Sequence, residues 1–427
     1  MMIRLRAWVF IARAILFPVF LASSVLAQQP AVLPVELALS VPFQTETYLQ
    51  VQGVRSTQQV WLNMINGAQS TIDLEQFYIT SEEGKTASPV QKLAQDQVLK
   101  DKIGLKPVLD AIRLKAAAGI PVRFLIDLTF YKKFYRDEAD ELSTHENIQV
   151  RTIDFKPGVQ HAKFFVVDGK NAFVGSANFD WLALTHIHEV GIRVSDSVLG
   201  GQLEKVFEKD WAAGVSLKPD ATSSPSTRKR TDSVTGASDF LLAASPASLN
   251  PEGIPASLDA IKSLLSHAKG SLKIQVYQYN TKASSGGGPW TDLDDALRTA
   301  AAKKPAVHVQ LLVDNVAMNK GSRELKALAG VPNIEVRTVK IPLWTKGKLD
   351  YARLTHSKYL VADDALPSAA AWVGTENWIQ SYFTDTRNVG VTFSAADETR
   401  KKLIGQLSRI FDSVWKSPYA KPLKATQ

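Results

Sequence analysis

Two histidine–lysine pairs are the strongest chemical signal in this sequence. In each pair one residue separates the histidine from the lysine, and an aspartate follows five residues after the lysine. The six residues are His161, Lys163, Asp168, His356, Lys358 and Asp363. Because a histidine with a pKa of about 6.5 can attack when neutral or donate a proton when charged, the two pairs predict attack on a phosphodiester. One ring would form a phosphohistidine and the other would protonate the leaving group.

A Gly-Ser/Thr-x-Asn turn follows each pair. The polar residues of the two turns are Ser176, Asn178, Thr375 and Asn377. Their hydroxyl and amide groups, with the two lysines, are expected to bind the phosphoryl oxygens. Each aspartate is expected to hold the local geometry or a histidine tautomer instead of contacting phosphate. Because these groups can stabilise the reacting charge by themselves, we predict no metal and no cofactor.

The elements around the pairs occur twice in the same order. Helix, strand, helix and buried strand are predicted at 60–65, 71–79, 107–118 and 122–127, and again at 258–268, 271–279, 293–302 and 307–314. Both buried strands end in an aspartate, Asp127 and Asp314. Alternating strands and helices are typical of α/β layers. We therefore expect an α/β fold of two duplicated halves, with mixed, largely parallel sheets flanked by helices and one active site shared across a pseudo-twofold axis.

The chain divides into four predicted segments. They are a leader at 1–27, a first half at 45–217, a Ser/Thr-rich basic linker at 218–238 and a second half at 239–420. Three arginines precede the apolar run of the leader, and Val25 and Ala27 fit a cleavage site. This pattern predicts an exported protein, periplasmic or secreted, whose mature chain begins at Gln28. The alternative is a retained N-terminal membrane anchor, which Pro18 and the shortness of the run disfavour.

Composition limits the chemistry further. The chain has 427 residues, no cysteine and a formal charge of +8. Without cysteine there is no disulfide, no thiol nucleophile and no Cys-ligated metal. The apolar share of 45% and charged share of 22% are typical of a packed globular protein.

The duplicated motif resembles the two HxKxxxxD signatures of the phospholipase D superfamily. The segments 176–185 and 374–384 look most like its endolysosomal 5′-exonuclease and poxviral envelope-protein branch. The resemblance implies a metal-free, two-lobed α/β sandwich, a histidine nucleophile, and hydrolysis or transfer of a phosphatidyl or nucleotidyl group. It implies His161 as nucleophile and His356 as general acid, although the family allows the reverse.

The two copies differ in one residue downstream of the turns. Glu189 stands where the family often has an acid that pairs with a histidine, and Asn388 occupies the matching place in the second half. We therefore expect Glu189 to support one histidine and the other histidine to be less basic.

Two basic and aromatic segments could contact substrate. The segments 130–136 and 344–348 interleave aromatic residues with lysines and an arginine. Such a composition suits a stacking platform for single-stranded nucleic acid or a loop that meets phosphate headgroups at a membrane. The third interpretation is a solvated loop whose aromatic rings pack on the core. A glycine-rich segment at 286–290 is expected to be a flexible loop.

These features predict an exported phosphodiesterase of phospholipids that uses a phosphohistidine, with peripheral membrane contact. The alternative, of nearly equal weight, is a 5′-exonuclease of single-stranded nucleic acid with the same mechanism. A catalytically silent membrane- or nucleic-acid-binding protein is the third interpretation. The sequence indicates no obligate protein partner.

Overall fold

A computed structural model describes residues 34–81, 89–97, 102–218, 236–284, 288–316 and 322–425. The predicted leader and most of the predicted linker lie outside the described residues. Two glycines of the segment 286–290 lie outside them as well. Export, cleavage and linker character therefore stay predictions.

The strands of the described residues alternate with helices along the chain. The strands are β1 (Val35–Ser40), β2 (Arg55–Ser56), β3 (Ile72–Gln76), β4 (Ile79–Thr80), β5 (Val122–Asp127), β6 (Ile148–Ile153), β7 (Phe164–Val167), β8 (Asn171–Gly175), β9 (Phe179–Asp180), β10 (Glu189–Ser195), β11 (Val215–Ser216), β12 (Phe240–Ser245), β13 (Ser271–Val276), β14 (His308–Asp314), β15 (Ile334–Val339), β16 (Tyr359–Ala362), β17 (Ala370–Gly374), β18 (Asn388–Ser394) and β19 (Ala420–Pro422). The helices are α1 (Glu46–Leu49), α2 (Thr57–Asn66), α3 (Pro89–Gln97), α4 (Lys106–Ala117), α5 (Leu128–Lys133), α6 (Asp137–Leu142), α7 (Trp181–Thr185), α8 (Ser197–Ala213), α9 (Ser257–His267), α10 (Asp292–Ala301), α11 (Ser322–Ala329), α12 (Ser381–Thr384) and α13 (Glu398–Trp415).

The two halves have the same sheet topology. The first sheet has the order β11-β6-β5-β3-β7-β8-β10-β1-β2, and the second, read from the matching edge, has β19-β15-β14-β13-β16-β17-β18-β12. Apart from β2, each strand of the first sheet has a counterpart at the same place in the second. The α/β class and the duplication are confirmed.

The sheets are mixed, with fewer parallel pairs than the alternation of strands and helices predicts. Parallel pairing joins β3 to β5 and β5 to β6 in the first half, and β13 to β14 and β14 to β15 in the second. Short connections join β7 to β8 and β16 to β17, and these strands pair antiparallel. β8 also pairs antiparallel with β10, and β17 with β18, across longer connections that contain α7 and α12. Short connections permit only antiparallel neighbours, because a parallel neighbour needs a long crossover.

The predicted helices and buried strands agree with the structure within a few residues. Gly119 follows α4 with a φ of +88°, a backbone conformation that favours glycine at the end of a helix. The first sheet begins at Val35, not at residue 45, because β1 pairs along its whole length with β10. Six residues beside the leader give too little pattern to be recognised as part of the repeat.

Three apolar layers hold the sheets and helices together. An inner layer contains residues of both halves, from β7, β8 and β10 on one side and from β16, β17 and β18 on the other. Helices α8 and α13 pack into this layer, and each contacts strands of both sheets. Two outer layers cover the opposite faces, with α2 and α4 on the first sheet and α9 and α10 on the second. The described residues from Pro34 onward consequently form one compact unit.

A buried ion pair also joins the halves. Both ends of the Arg387 guanidinium donate to Asp210 on α8, at 2.6 and 2.9 Å, and Arg387 is fully buried. Its other protons go to the carbonyls of Ser245 and Leu249 and to the side chain of Asn250.

Replacing Arg387 with methionine is expected to lower the free energy of unfolding by about 3–5 kcal/mol, since it leaves a buried carboxylate without its partner. Denaturant unfolding followed by circular dichroism measures the change. The matched control is Glu398→Gln, which breaks the exposed pair with Lys401 and is expected to cost less than about 1 kcal/mol. Equal effects of the two variants would show that the buried pair is not special.

Candidate active site

The two histidine–lysine pairs lie where the halves cross. Strands β7 and β16 begin directly after Lys163 and Lys358, so the pairs precede these strands. The alternation of side chains at 160–167 predicts that His161 and Lys163 lie within a strand, and that prediction is wrong. The reason is that their backbone pairs with the other half. His161 N–H donates to the carbonyl of Arg387, and His356 N–H donates to the carbonyl of His188, both at 2.9 Å. The expected shared site is therefore built by reciprocal backbone contacts.

The two aspartates that end the buried strands hold the backbone of the residue directly before each histidine. Asp127 Oδ2 accepts from the N–H of Gln160 at 2.9 Å, and Asp314 Oδ2 accepts from the N–H of Thr355 at 2.7 Å. These are the residues directly before His161 and His356. The sequence showed the two aspartates as a repeated feature, and the structure shows that they anchor the catalytic segments to the parallel strands.

Asp168 and Asp363 each stabilise a backbone turn, and their hydrogen bonds go to that turn instead of to a histidine ring. Asp168 accepts from the N–H groups of residues 69–71, and Asp363 accepts from those of residues 269–271. Both residues have a positive φ, of 56° and 55°. Of the two roles expected for these aspartates, local geometry is the one that these contacts support.

The tautomer of His161 follows from its partner in the second half. His161 Nδ1 lies 2.9 Å from Asn388 Oδ1. The orientation of this amide is set, because Asn388 Nδ2 donates to the carbonyls of Tyr382 and Thr386. Oδ1 must then be the acceptor and His161 Nδ1 the donor, which leaves the lone pair of His161 on Nε2. An imidazole in this tautomer can attack through Nε2.

His356 has the reciprocal arrangement with a charged partner. Its Nδ1 lies 2.9 Å from Glu189 Oε1, and Ser176 donates to Glu189 Oε2 at 2.5 Å. Burial lowers the pKa of both histidines well below the usual value, and Lys163 and Lys358 lower it further. A carboxylate opposes this shift more than an amide does. An ionised Glu189 stabilises an added proton on His356, whereas Asn388 carries no charge that could do so for His161.

The two hydroxyls of the turns are already occupied. Ser176 donates to Glu189, and Thr375 donates to Asn388 Oδ1 at 3.0 Å. Each hydroxyl oxygen also accepts a backbone N–H, from Val190 and Val389 respectively. The sequence suggested them as phosphate donors. Their contacts instead place them behind the histidines, where they orient the residues that orient the rings.

The two lysines are buried, and their positive charges repel each other. Burial lowers the pKa of Lys163 well below the usual value, and it lowers the pKa of Lys358 to about 7. Lys358 contributes to the shift of Lys163 through charge repulsion. Each ammonium donates to the carbonyl of the histidine two residues before it, which leaves two protons for a ligand. An anion between the lysines would relieve the repulsion.

The amide oxygens of Asn178 and Asn377 lack partners. Both residues are buried, and within the described part of the chain their Oδ1 atoms have no hydrogen-bond partner. A buried acceptor without a donor is costly, and a phosphoryl oxygen is not a donor. Binding of phosphoryl oxygens by the two amide nitrogens therefore stays a prediction.

Aromatic rings that the sequence did not assign to the site enclose the histidines. Phe77 lies 5.0 Å from the ring of His161, and Tyr277, at the matching place after β13, lies 5.0 Å from the ring of His356. Tyr382 packs edge-on against His161 at 4.9 Å. A signal existed, because Phe77 and Tyr277 each directly follow the strand that pairs with a catalytic segment.

Glu376 is a second buried acid that the sequence did not single out. Its Oε2 accepts from the N–H of Thr375 at 2.9 Å, and Ala177 occupies the matching place in the first half. Burial raises the pKa of Glu376 to about 7, and burial likewise raises the pKa of Glu189 to about 7. Both acids counteract the lowered pKa values of the two lysines. The site thus holds two lysines and two acids.

The two basic and aromatic segments have different outcomes. In 130–136, Phe130 packs on Phe77 at 4.0 Å, which places this segment beside His161. In 344–348, Trp344 is buried and contacts the ring of His186, so its ring belongs to the core. The interpretation as a core-packed loop therefore holds for Trp344.

Two features are absent from the described residues. Within the described ranges no group of three or more His, Cys, Asp or Glu side chains could hold a metal ion. No helix of the described ranges is long and apolar enough to cross a bilayer.

The arrangement can therefore present two imidazoles, one of them beside a carboxyl group, together with two ammonium groups and two amides to an anionic group. These are the parts of metal-independent displacement at a phosphodiester.

Comparisons with known proteins agree with this geometry. The family described as cardiolipin synthase, PLD-like domain, matches residues 61–211 and 261–415, once in each half. The 5′-3′ exonuclease PLD3 of Macaca fascicularis is 30% identical over 405 residues, which cover 88% of this chain and 77% of that protein. The 5′-3′ exonuclease PLD4 of Mus musculus is 33% identical over 303 residues, 64% of this chain and 59% of that protein.

Among solved structures, the phosphatidylserine synthase of Haemophilus influenzae aligns with a TM-score of 0.60 and 13% identity, over 92% of this chain and 88% of that one. At this identity the likeness concerns the fold alone. Two matched domains, the duplicated motif and the relatives lead to one conclusion. The chain belongs to the phospholipase D superfamily, in the branch of the 5′-3′ exonucleases.

Proposed function

We propose that this protein is a metal-independent phosphodiesterase that removes nucleotides from the 5′ end of single-stranded nucleic acid through a phosphohistidine. The observation that carries the proposal is the pair of cross-half contacts, His161 to Asn388 and His356 to Glu189. They hold both rings by Nδ1 and leave both Nε2 atoms for the reacting groups.

In the first step, His161 Nε2 attacks phosphorus, and the bond from phosphorus to the leaving oxygen breaks. The proton of His356 Nε2 moves to that oxygen, while Glu189 stabilises the charged ring before transfer. The phosphate oxygens bring negative charge beside both rings, which raises the pKa of His356 in the complex. Lys163 and Lys358 balance the equatorial charge, with Asn178 and Asn377 as neutral donors.

In the second step, His356 acts as a base. It takes a proton from water, the water oxygen bonds to phosphorus, and the bond between phosphorus and His161 Nε2 breaks. His161 is then free, and His356 is charged again for the next cycle.

The choice of substrate rests on two supports. The relatives that match over most of this chain are named as exonucleases, and two exposed lysines follow Phe130, whose ring packs on Phe77 beside His161. The phospholipid substrate that the sequence favoured stays the alternative, since the likeness to a phosphatidylserine synthase concerns the fold only.

The purified protein is expected to degrade a single-stranded DNA of about 20 nucleotides with a free 5′ hydroxyl, at an unchanged rate in excess EDTA. Gel analysis of oligonucleotides labelled at the 3′ end measures the shortening from the 5′ end. A duplex with blunt ends and a strand blocked at its 5′ end are the controls, and both are expected to resist.

Phosphatidylcholine vesicles provide the competing assay. Release of choline without shortening of DNA would transfer the proposal to phospholipids. Hydrolysis of neither substrate, together with no hydrolysis of bis(p-nitrophenyl) phosphate, would indicate a catalytically silent binding protein.

A further inference from the structure

A row of aromatic rings leads from the catalytic centre to the surface. The ring of Phe77 lies 5.0 Å from His161, the ring of Phe130 lies 4.0 Å from Phe77, and the ring of Phe134 lies 5.5 Å from Phe130. Phe134 is 62% exposed. Three ring contacts therefore connect the nucleophile to solvent.

A second stack of rings supports this row. Tyr78 stacks on Phe130 at 5.9 Å, and Tyr135 stacks on Tyr78 at 4.3 Å. Tyr135 also contacts Phe134, at 6.0 Å between the ring centres. The rings therefore form one connected cluster that ends at the exposed Phe134.

Two exposed lysines accompany these rings. Lys132 and Lys133 lie between Phe130 and Phe134 in the chain. Within the described ranges neither forms an ion pair, unlike Lys348, which lies 3.4 Å from Asp350. Cations beside an exposed ring suit an anionic chain.

We propose that this aromatic–lysine surface, made of Lys132, Lys133 and Phe134, holds the part of a nucleic acid strand that extends beyond the scissile phosphate. A base stacks on Phe134, and the lysines contact the neighbouring phosphates. The inference rests on the proposed function and deepens it, because it says how the enzyme distinguishes a long strand from a short one.

The spacing of side chains favours a strand over a membrane. The exposed ring of Phe134 stands directly after two lysines, and α5, which carries them, has only six residues. A membrane-binding face needs a continuous apolar surface, typically of a longer amphipathic helix. Alternating rings and cations match the alternation of bases and phosphates instead.

The first test measures KM against substrate length. The variant Phe134→Ala is expected to raise KM roughly tenfold for a 20-nucleotide strand, with no change for bis(p-nitrophenyl) phosphate. The control Leu241→Ala removes a side chain of similar exposure, 58%, on β12, and is expected to change neither value.

The second test measures the dependence of KM on salt. Replacing Lys132 and Lys133 together with glutamine is expected to reduce the slope of log KM against log salt concentration by about 1.4. The exposed lysines Lys205 and Lys402 lie outside the surface, and their replacement with glutamine is the matched control.

The outcomes separate this inference from the proposed function. If the wild-type protein does not shorten DNA, the proposed function fails. If it does, and the variants keep the wild-type KM and salt slope for long strands, only the aromatic–lysine surface is refuted. Loss of binding to phosphatidylserine vesicles, with unchanged kinetics on DNA, would assign the surface to a membrane and overturn the inference.

Discussion

Replacing His356 with asparagine is expected to trap a covalent nucleotidyl group on His161. A p-nitrophenyl ester needs no acid for departure of its leaving group, so His161 can still attack it. The second step then lacks its base, and the phosphohistidine accumulates. Intact-protein mass spectrometry after mixing with p-nitrophenyl thymidine phosphate measures the adduct, and a burst of about one p-nitrophenolate per protein is expected to accompany it.

The matched variant is His161→Asn. It is expected to show no adduct and no burst, and to lower kcat on DNA at least about 10⁴-fold. Circular dichroism of both variants checks that the fold survives. An adduct in His161→Asn and none in His356→Asn would reverse the two roles. The absence of an adduct in both would contradict the covalent mechanism.

Replacing Glu189 with glutamine is expected to lower kcat on DNA about 100-fold, which is at the lower end of what a general acid contributes. The amide cannot stabilise a charged His356 as the carboxylate does, so the loss falls on the step that protonates the leaving oxygen. With a p-nitrophenyl ester the first step is expected to be nearly unchanged. The ratio of the two effects, measured in single-turnover experiments, gives the contribution of general-acid catalysis to the first step.

A further variant gives His161 an acidic partner like that of His356. Asn388→Asp places a carboxylate on His161 Nδ1, which raises the pKa of His161 and favours its protonated form. The acidic limb of the pH profile of kcat/KM is then expected to move to higher pH, because attack needs the neutral ring. A profile that does not move would show that Asn388 does not control the protonation of His161.

The duplication could be predicted from the sequence because it depends on local patterns. Helical spacing, apolar runs such as 122–127 and the two HxK motifs are properties of a few neighbouring residues, and they recur at matching places. The pairing of strands is not local. The antiparallel part of each sheet includes the strands joined by the short connections after β7 and β16. The alternation of strands and helices does not reveal this pairing.

Most residues of the site could be identified from the sequence, but their hydrogen-bond partners and protonation could not. The sequence indicated which side chains could react, because the duplicated spacing supplies two imidazoles and two ammonium groups, which suit phosphoryl transfer. It could not decide what stands behind them, because Ser176, Thr375, Glu189 and Asn388 act through partners more than 150 residues away in some cases. The orientation of the Asn388 amide, and with it the tautomer of His161, depends on carbonyls positioned by the crossing of the halves. The sequence determines which chemical groups are present. The protonation of each group and the direction of its hydrogen bonds depend on neighbours in space, and only the tertiary structure supplies these neighbours.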